Sequence, residues 1–253
     1  MAKVDIYNGA PNFELKKLLP HRSVKMRELW PGDSTNVDYG VIDGDHVQSF
    51  VASLPNDRSY EFDCEGNASR PDLNLHLWDY KVNPEDAVRL REEMSYHIWR
   101  GQMDLDRGFW SIPSGEWLRI SAKTPDSIAA AMAVMKTYFD YQQLASWQTT
   151  LYQSVYWRYE AHDFSKIPEW KTEVRAKIAL TEMYCGKTPR LYVWHRGYKF
   201  GTNDATPDFV DSEIFSEMIE FISDQDVDMV FWSEQADTEF PPWVDRTLSR
   251  YAL

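Results

Sequence analysis

Short apolar runs alternate with longer amphipathic segments along the whole chain. The apolar runs have the length and the β-branched and aromatic content of strands, and turn residues follow several of them. We predict seven strands, at 3–7, 23–29, 59–65, 108–113, 151–159, 189–195 and 228–232, and a weak eighth at 39–41. Helical spacing of apolar residues predicts helices at 45–54, 84–99, 124–144, 168–184, 211–223 and 241–251.

Alternation of strands and helices is typical of a parallel sheet, either closed into a (β/α)8 TIM barrel or open and doubly wound. A doubly wound sheet that binds nucleotides usually carries a glycine-rich phosphate turn. This sequence contains neither G-x-G-x-x-G nor G-x-x-x-x-G-K, and no Ser- or Gly-rich linker divides it. We therefore predict an α/β fold, a single (β/α)8 TIM barrel over residues 1–253 that is irregular, with seven clear strands.

The charge balance limits the classes of partner. The 253 residues include 27 Lys and Arg against 40 Asp and Glu, which gives a formal net charge of −13. Such an acidic chain repels phosphate backbones and anionic lipids, so we expect neither nucleic acid nor a membrane as partner. No apolar run approaches the roughly 18 residues of a membrane span, and the first residues lack the apolar core of a secretory signal. We expect a soluble protein that is cytoplasmic, released or carried on a virus particle.

Aromatic residues are the unusual part of the composition. The 11 Trp, 14 Tyr and 12 Phe residues make up 15% of the chain, which favours an aromatic-lined cleft for a flat or sugar-like ligand. Only two cysteines are present, Cys64 and Cys185, too few for a disulfide scaffold or a four-thiolate zinc site.

The most informative segment is the predicted strand 59–65. Because side chains alternate faces along a strand, Glu61, Asp63 and Glu65 share one face, and two aromatic residues and a cysteine share the other. Carboxylates in one row repel each other, so at least one pKa in the row should be raised, which suits a general acid. Glu65 also stands at the end of the strand, where barrel enzymes place their active sites. The alternative is a solvated edge strand, but the aromatic opposite face favours a strand covered by helices.

A second carboxylate, Glu234, follows the last predicted strand and faces the same way as Trp232. Glu65 and Glu234 could form a conventional acid and nucleophile pair, whose separation would decide between retention and inversion. Glu234 could equally be an ordinary loop acid of an acidic protein.

Further candidate ligand-binding residues follow other predicted strands. His195 and Arg196, at the end of the strand 189–195, could bind hydroxyl or anionic groups of a ligand, and Tyr198 in the following loop is a further candidate. Trp110 could stack on a sugar ring. Each has a structural alternative, namely a histidine satisfied by the backbone or a ring packed in the core.

Other catalytic classes have less support in the sequence. No H-E-x-x-H, paired-histidine or G-x-S-x-G motif is present. An oxygen-rich divalent-metal site would suggest a metal-dependent phosphodiesterase, and its ligands would be Glu61, Asp63, Glu65 and Asp204. The cluster of Lys and Arg that a phosphate usually needs is missing, so we expect no metal and no other cofactor.

The row Glu61-x-Asp63-x-Glu65 resembles the acid-x-Asp-x-Glu strand signature of chitinase-like and hyaluronidase-like retaining glycosidases. The resemblance extends to the strand order, to Trp232 at the end of the last strand, and to a tyrosine on a later strand. The sequence differs in having Glu61 where the first acid is usually Asp, and Cys64 where an aromatic residue is usual. These differences concern the substrate class more than the identity of the acid.

The resemblance implies a barrel enzyme that uses the 2-acetamido group of its substrate as the nucleophile. It implies that Glu65 protonates the glycosidic oxygen and later deprotonates water, while Asp63 orients the acetamido group. Tyr156 or Tyr159 would hydrogen-bond that group, and Trp232 would lie beneath the sugar. We therefore expect a glycoside hydrolase that acts by retention on a carbohydrate polymer or oligosaccharide with 2-acetamido sugars. The alternative is a non-catalytic carbohydrate-binding or structural barrel.

Overall fold

The computed structural model describes residues 2–30, 40–63, 84–109, 126, 130, 133, 141–197, 208–233 and 237–253. This part of the chain contains seven strands. They are β1 (Ile6–Gly9), β2 (Leu19–Lys25), β3 (Ser59–Asp63), β4 (Arg107–Phe109), β5 (Tyr152–Ser154), β6 (Arg190–Trp194) and β7 (Met229–Trp232).

Helices connect the strands, and some of their ends carry capping groups. They are α1 (Gly44–Ala52), α2 (Pro84–Gly101), α3 (Tyr141–Ser146), α4 (Ile167–Cys185), α5 (Ser212–Ser223) and α6 (Pro242–Tyr251). The Asp43 carboxylate accepts a hydrogen bond from the His46 N–H at the start of α1, and Asp211 caps α5 in the same way. Gly186 ends α4 with a φ of 65°, a left-handed conformation that glycine adopts at little cost.

All strands pair in parallel, in the order β4-β3-β2-β1-β7-β6-β5, and they form a nearly closed barrel. The two end strands meet at a seam, where the backbone N–H groups of Thr149 and Thr150 donate to the Arg107 carbonyl at 2.9 and 3.2 Å. Gly108 allows this approach, because a Cβ atom there would lie 2.4 Å from the Thr150 carbonyl oxygen. The fold is therefore an α/β barrel of the TIM type, as predicted.

Apolar side chains lie mainly between the strands and the helices. Tyr60 and Phe62 of β3 are fully buried against α1 and α2, in one of two large clusters that surround the barrel. A smaller cluster fills the barrel interior and contains Tyr7, Tyr152, Tyr192 and Val230, with Tyr156 and Trp232 packed against it. For the described residues of β3 the predicted separation of faces is confirmed, because Tyr60 and Phe62 pack against the helices and Glu61 lies inside the barrel.

The bounds of several strands differ from the prediction. The second strand was predicted at 23–29 but is Leu19–Lys25, because its inward side chains His21 and Ser23 are polar and conceal the strand pattern. The fifth ends at Ser154 rather than at residue 159. The weak eighth strand is wrong for Gly40 and Val41, which lie in a turn and a bend.

The predicted helix 124–144 falls mostly outside the described residues. Asp126, Ala130 and Ala133 are helical, and α3 extends to Ser146. Among the helices that the structure describes, none has the length and apolar character needed to cross a membrane.

Candidate active site at the carboxyl ends of the strands

Strand β3 directs two carboxyl groups into the barrel. In the parallel register Glu61 is opposite Ser23 of β2, and Asp63 is opposite Lys25. Asp63 ends the strand, so its side chain lies at the carboxyl edge of the barrel, while Glu61 lies one layer deeper and is 2% exposed. The edge formed by the carboxyl ends of the strands is called the mouth below.

The deeper carboxyl group belongs to a hydrogen-bonded chain of polar side chains. The Tyr192 hydroxyl donates to Glu61 Oε2 at 3.2 Å, and His21 Nε2 lies 2.7 Å from the same hydroxyl. Burial, and then the charge of Asp63, raise the pKa of Glu61 to about 8. Burial, together with Arg190, lowers the pKa of His21 to about 3. At neutral pH these hydrogen-bonded side chains are therefore all uncharged: Glu61 is protonated, and Tyr192 and His21 are neutral.

Asp63 has a cationic partner at the mouth. Lys25 Nζ donates to Asp63 Oδ2 at 2.8 Å, and the two side chains are 49% and 23% exposed. An ion pair this exposed is screened by water and costs little to separate. The Asp63 carboxylate can therefore exchange Lys25 for another positive or hydrogen-bonding group at the mouth.

Three aromatic side chains form a wall at the same edge. Tyr156 stacks on Trp232 with ring centroids 5.4 Å apart and an interplanar angle of 24°. Trp194 contacts both rings edge-on, at 5.9 and 5.1 Å. The Trp194 indole donates to Asp237 Oδ2 at 3.0 Å, which fixes its orientation. Tyr156 and Trp232 are only partly buried, so the wall offers a flat apolar surface to a ligand.

A separate network fills the opposite, amino-terminal end of the barrel. Arg190 Nη1 donates to Ser59 Oγ at 2.8 Å and to Asp106 Oδ2 at 2.7 Å. Its guanidinium group also lies 4.2 Å from the centre of the Tyr7 ring. The network links β6 to the start of β3 and to the residue before β4.

The structure brings four predicted site residues to the barrel interior and the mouth, namely Glu61, Asp63, Tyr156 and Trp232. It separates two others from them. His195 is fully buried on the outer side of the sheet, between Phe209 and Phe240. Tyr159 also lies outside the barrel, against the Trp157 ring.

The remaining predicted residues lie outside the described part of the chain. They are Glu65, Glu234, Trp110 and Tyr198 in the predicted glycosidase site, and Asp204 in the alternative metal site. Within the described residues, no group of three or more His, Cys, Asp or Glu side chains is placed to hold a metal ion.

Sequence reasoning missed four residues of this region: His21, Lys25, Tyr192 and Trp194. A signal for two of them was present, because Tyr192 and Trp194 alternate along β6 and had to share a face. His21 and Lys25 gave no such signal, since they become neighbours of the acidic row only through the register of β2 with β3.

Comparison with known proteins gives a likeness in fold. A crystal structure of bee venom hyaluronidase matches the chain with a TM-score of 0.58 and 12% identity, over 98% of this chain and 96% of the hyaluronidase. A crystal structure of bee venom hyaluronidase in complex with a hyaluronic acid tetramer gives a TM-score of 0.62 at the same identity, over 98% and 95%. No protein-family model and no curated protein sequence matches the chain. The comparison therefore supports the α/β barrel fold.

Proposed function

We propose that the protein is a glycoside hydrolase that cleaves a polysaccharide containing 2-acetamido sugars with retention of configuration. The observation that carries the proposal is the position of Asp63 at the carboxyl edge of the barrel, the edge that also carries the Tyr156–Trp232 wall. A sugar lying on the wall would present its reacting carbon to groups at the end of β3. The hyaluronidase that matches in fold binds a hyaluronic acid tetramer, which supports a carbohydrate ligand here.

Each residue has a role that the chemistry requires. Glu65, two positions beyond Asp63, is proposed as the general acid that protonates the leaving oxygen and as the base that later activates water. The Asp63 carboxylate orients the acetamido group and balances the positive charge that develops as this group attacks the anomeric carbon. Tyr156 hydrogen-bonds the acetamido group, and Trp232 supports the sugar ring.

The proposal is tested with a panel of hyaluronan, chitin, peptidoglycan and a neutral glucan, by measuring the release of reducing ends. We expect the wild-type protein to cleave an acetamido-sugar polymer, and Glu65→Gln to lose roughly 100- to 10,000-fold in rate, the usual contribution of general acid–base catalysis. The exposed Glu14→Gln variant is the matched control and should keep full activity. Near wild-type turnover by Glu65→Gln would show that the acid is assigned wrongly.

One observation favours a second candidate, a non-catalytic barrel that binds carbohydrate. The Lys25–Asp63 ion pair already neutralises the carboxylate at the mouth, as a binding protein without chemistry could tolerate. Retention of a glycan by the wild-type protein, without any release of reducing ends, would favour this candidate. In that case Trp232→Ala should abolish retention and Glu65→Gln should not.

A further inference from the structure

A cluster of charged side chains lies outside the barrel, behind the segment that carries Tyr156. Lys177 of α4 is 5% exposed in its side chain, and its Nζ lies 2.6 Å from Glu173 Oε1. Arg158 Nη1 lies 3.9 Å from the same carboxylate oxygen. Burial raises the pKa of Glu173, but the two neighbouring cations outweigh it and hold this pKa below its usual value. The cluster is therefore a charged one, in a place where charges are costly to bury.

Side chains of this cluster and of its neighbour Trp170 form hydrogen bonds with the backbone immediately before Tyr156. Lys177 Nζ donates to the Ser154 carbonyl at 2.6 Å, and the Trp170 indole donates to the Val155 carbonyl at 2.9 Å. Arg158 Nη2 donates to Ser154 Oγ at 3.0 Å. The groups that α4 contributes stand at positions i, i+3 and i+7, on one stripe of the helix. The segment is thus attached to α4 on both sides of Tyr156.

The attachment explains where strand β5 ends. The Val155 N–H still donates to the Tyr192 carbonyl at 3.0 Å, which continues the pairing with β6 by one residue. The carbonyl groups of Ser154 and Val155 instead accept hydrogen bonds from side chains of α4. The chain leaves the sheet at this point, and the Tyr156 ring reaches past Trp194 to stack on Trp232 of β7.

We propose that Glu173 and Lys177 are positioning residues, which hold the segment 154–158 so that the Tyr156 ring stacks on Trp232 at the mouth. Their importance for turnover rests on the proposed function of Tyr156. Their effect on the ring geometry does not.

The geometric part is tested by ¹⁹F NMR of the protein labelled with 5-fluorotryptophan, with the Trp232 signal assigned by Trp232→Phe. Tyr156→Leu should shift this signal, because it removes the stacked ring. Removing Lys177 alone would leave the buried Glu173 carboxylate with Arg158, 3.9 Å away, as its remaining cation, so the double variant Glu173→Leu/Lys177→Met is used to preserve folding. We expect its Trp232 signal to move towards the position seen in Tyr156→Leu. The control Lys171→Met, at a partly exposed ion pair on the same helix, should leave the signal unchanged.

The functional part is tested by a double-mutant cycle on the rate of glycan cleavage. We expect the Glu173/Lys177 double variant to lose up to about 100-fold in kcat/KM, as a displaced site residue can. The same double variant should lose nothing more when Tyr156→Leu is already present. Additive losses, or an unchanged Trp232 signal in a folded variant, would overturn the proposal. If the wild-type protein cleaves no glycan, the proposed function fails while the Trp232 signal still decides the positioning.

Discussion

Glu61 is a buried carboxyl group, 2% exposed, whose Oε2 accepts a hydrogen bond from the Tyr192 hydroxyl. Burial raises its pKa from 4.5 to about 8, so the folded protein holds a proton that the unfolded chain releases. Between these two pH values the folded state binds more protons than the unfolded state. The free energy of unfolding should therefore fall as the pH rises.

His21 and His195 change the free energy of unfolding in the opposite direction, at lower pH. Burial lowers their pKa values to about 3 and about 4, so their contribution to stability is lost as the pH falls below the ordinary value of 6.5. The effect of Glu61 is therefore cleanest between pH 6.5 and about 8. There we expect stability to fall by up to about 1.4 kcal/mol per pH unit because of this one group.

Urea denaturation of the wild-type protein and of Glu61→Gln, at several pH values in that window, measures the effect. The amide cannot ionise and has nearly the same shape, so the slope of stability against pH should become flatter by that amount. The exposed Glu14→Gln should retain the wild-type slope. An unchanged slope in Glu61→Gln would show that the carboxyl group does not hold its proton in the folded state.

Asp63 is the residue at which charge should matter most. Asp63→Asn keeps the size of the side chain and gives up a carboxylate whose exposed ion pair with Lys25 contributes only about 0–1 kcal/mol to stability. We expect the free energy of unfolding to change little. The rate of cleavage of acetamido sugars should fall by about 100-fold or more, because the developing positive charge loses its counterion. Comparison of rates on substrates with and without the acetamido group tests this. Equal losses on both would favour the Glu65/Glu234 pair instead.

At the scale of the elements, Gly108 lies at the seam between β4 and β5, where the two backbones approach closely. A Cβ atom at Gly108 would lie 2.4 Å from the Thr150 carbonyl oxygen and 2.9 Å from the Tyr152 ring. Gly108→Ala should therefore separate the two strands and destabilise the protein by about 1–3 kcal/mol. Thermal unfolding measures the loss.

Gly197→Ala is the matched control for the seam. The nearest atom to its added Cβ would be the Tyr159 carbonyl oxygen at 3.4 Å, an ordinary contact, and Gly197 does not have a positive φ. Its stability should stay within about 0.5 kcal/mol of wild type. If both alanine variants unfold at the same temperature, the close approach at the seam is not what Gly108 provides.

The elements could be predicted from the sequence where their patterns are local. Asp211 at the start of α5 and Gly186 at the end of α4 mark helix ends through groups within one turn. Strand β5 was predicted too long, because Trp157 continues the apolar pattern after the backbone has left the sheet. The strand ends because Lys177 and Trp170 of α4 bind the carbonyl groups of Ser154 and Val155. These side chains are more than ten residues away in the sequence, so no local pattern indicates them.

At the scale of the whole molecule, the barrel class could be predicted but its interior could not. Alternation of strands and helices, without a glycine-rich phosphate turn, was enough to favour a barrel. The sequence also placed Glu61 and Asp63 on one face. It could not show that Tyr192 and His21 would enclose Glu61, because these contacts join strands that are distant in the chain and depend on their registers.

The two ends of the barrel differ in a way that suits the proposed function. Arg190 and its partners close the amino-terminal end with a network of hydrogen bonds. At the carboxyl ends, Asp63 and the aromatic wall of Tyr156, Trp194 and Trp232 provide charge and a flat apolar surface. This asymmetry is typical of barrel enzymes, in which one end gives stability and the other carries chemistry.

The most direct test of the central claim is proton NMR of the cleavage reaction while it proceeds, on the polymer that the panel selects. The wild-type protein should produce new anomeric signals of the retained configuration before the anomers equilibrate, and Glu65→Gln should produce none over the same time. If the first product has the inverted configuration, the participation of the acetamido group is wrong. If no anomeric signal appears with any polymer, or if Glu65→Gln matches the wild type, the assignment of a glycosidase with Glu65 as its acid is contradicted.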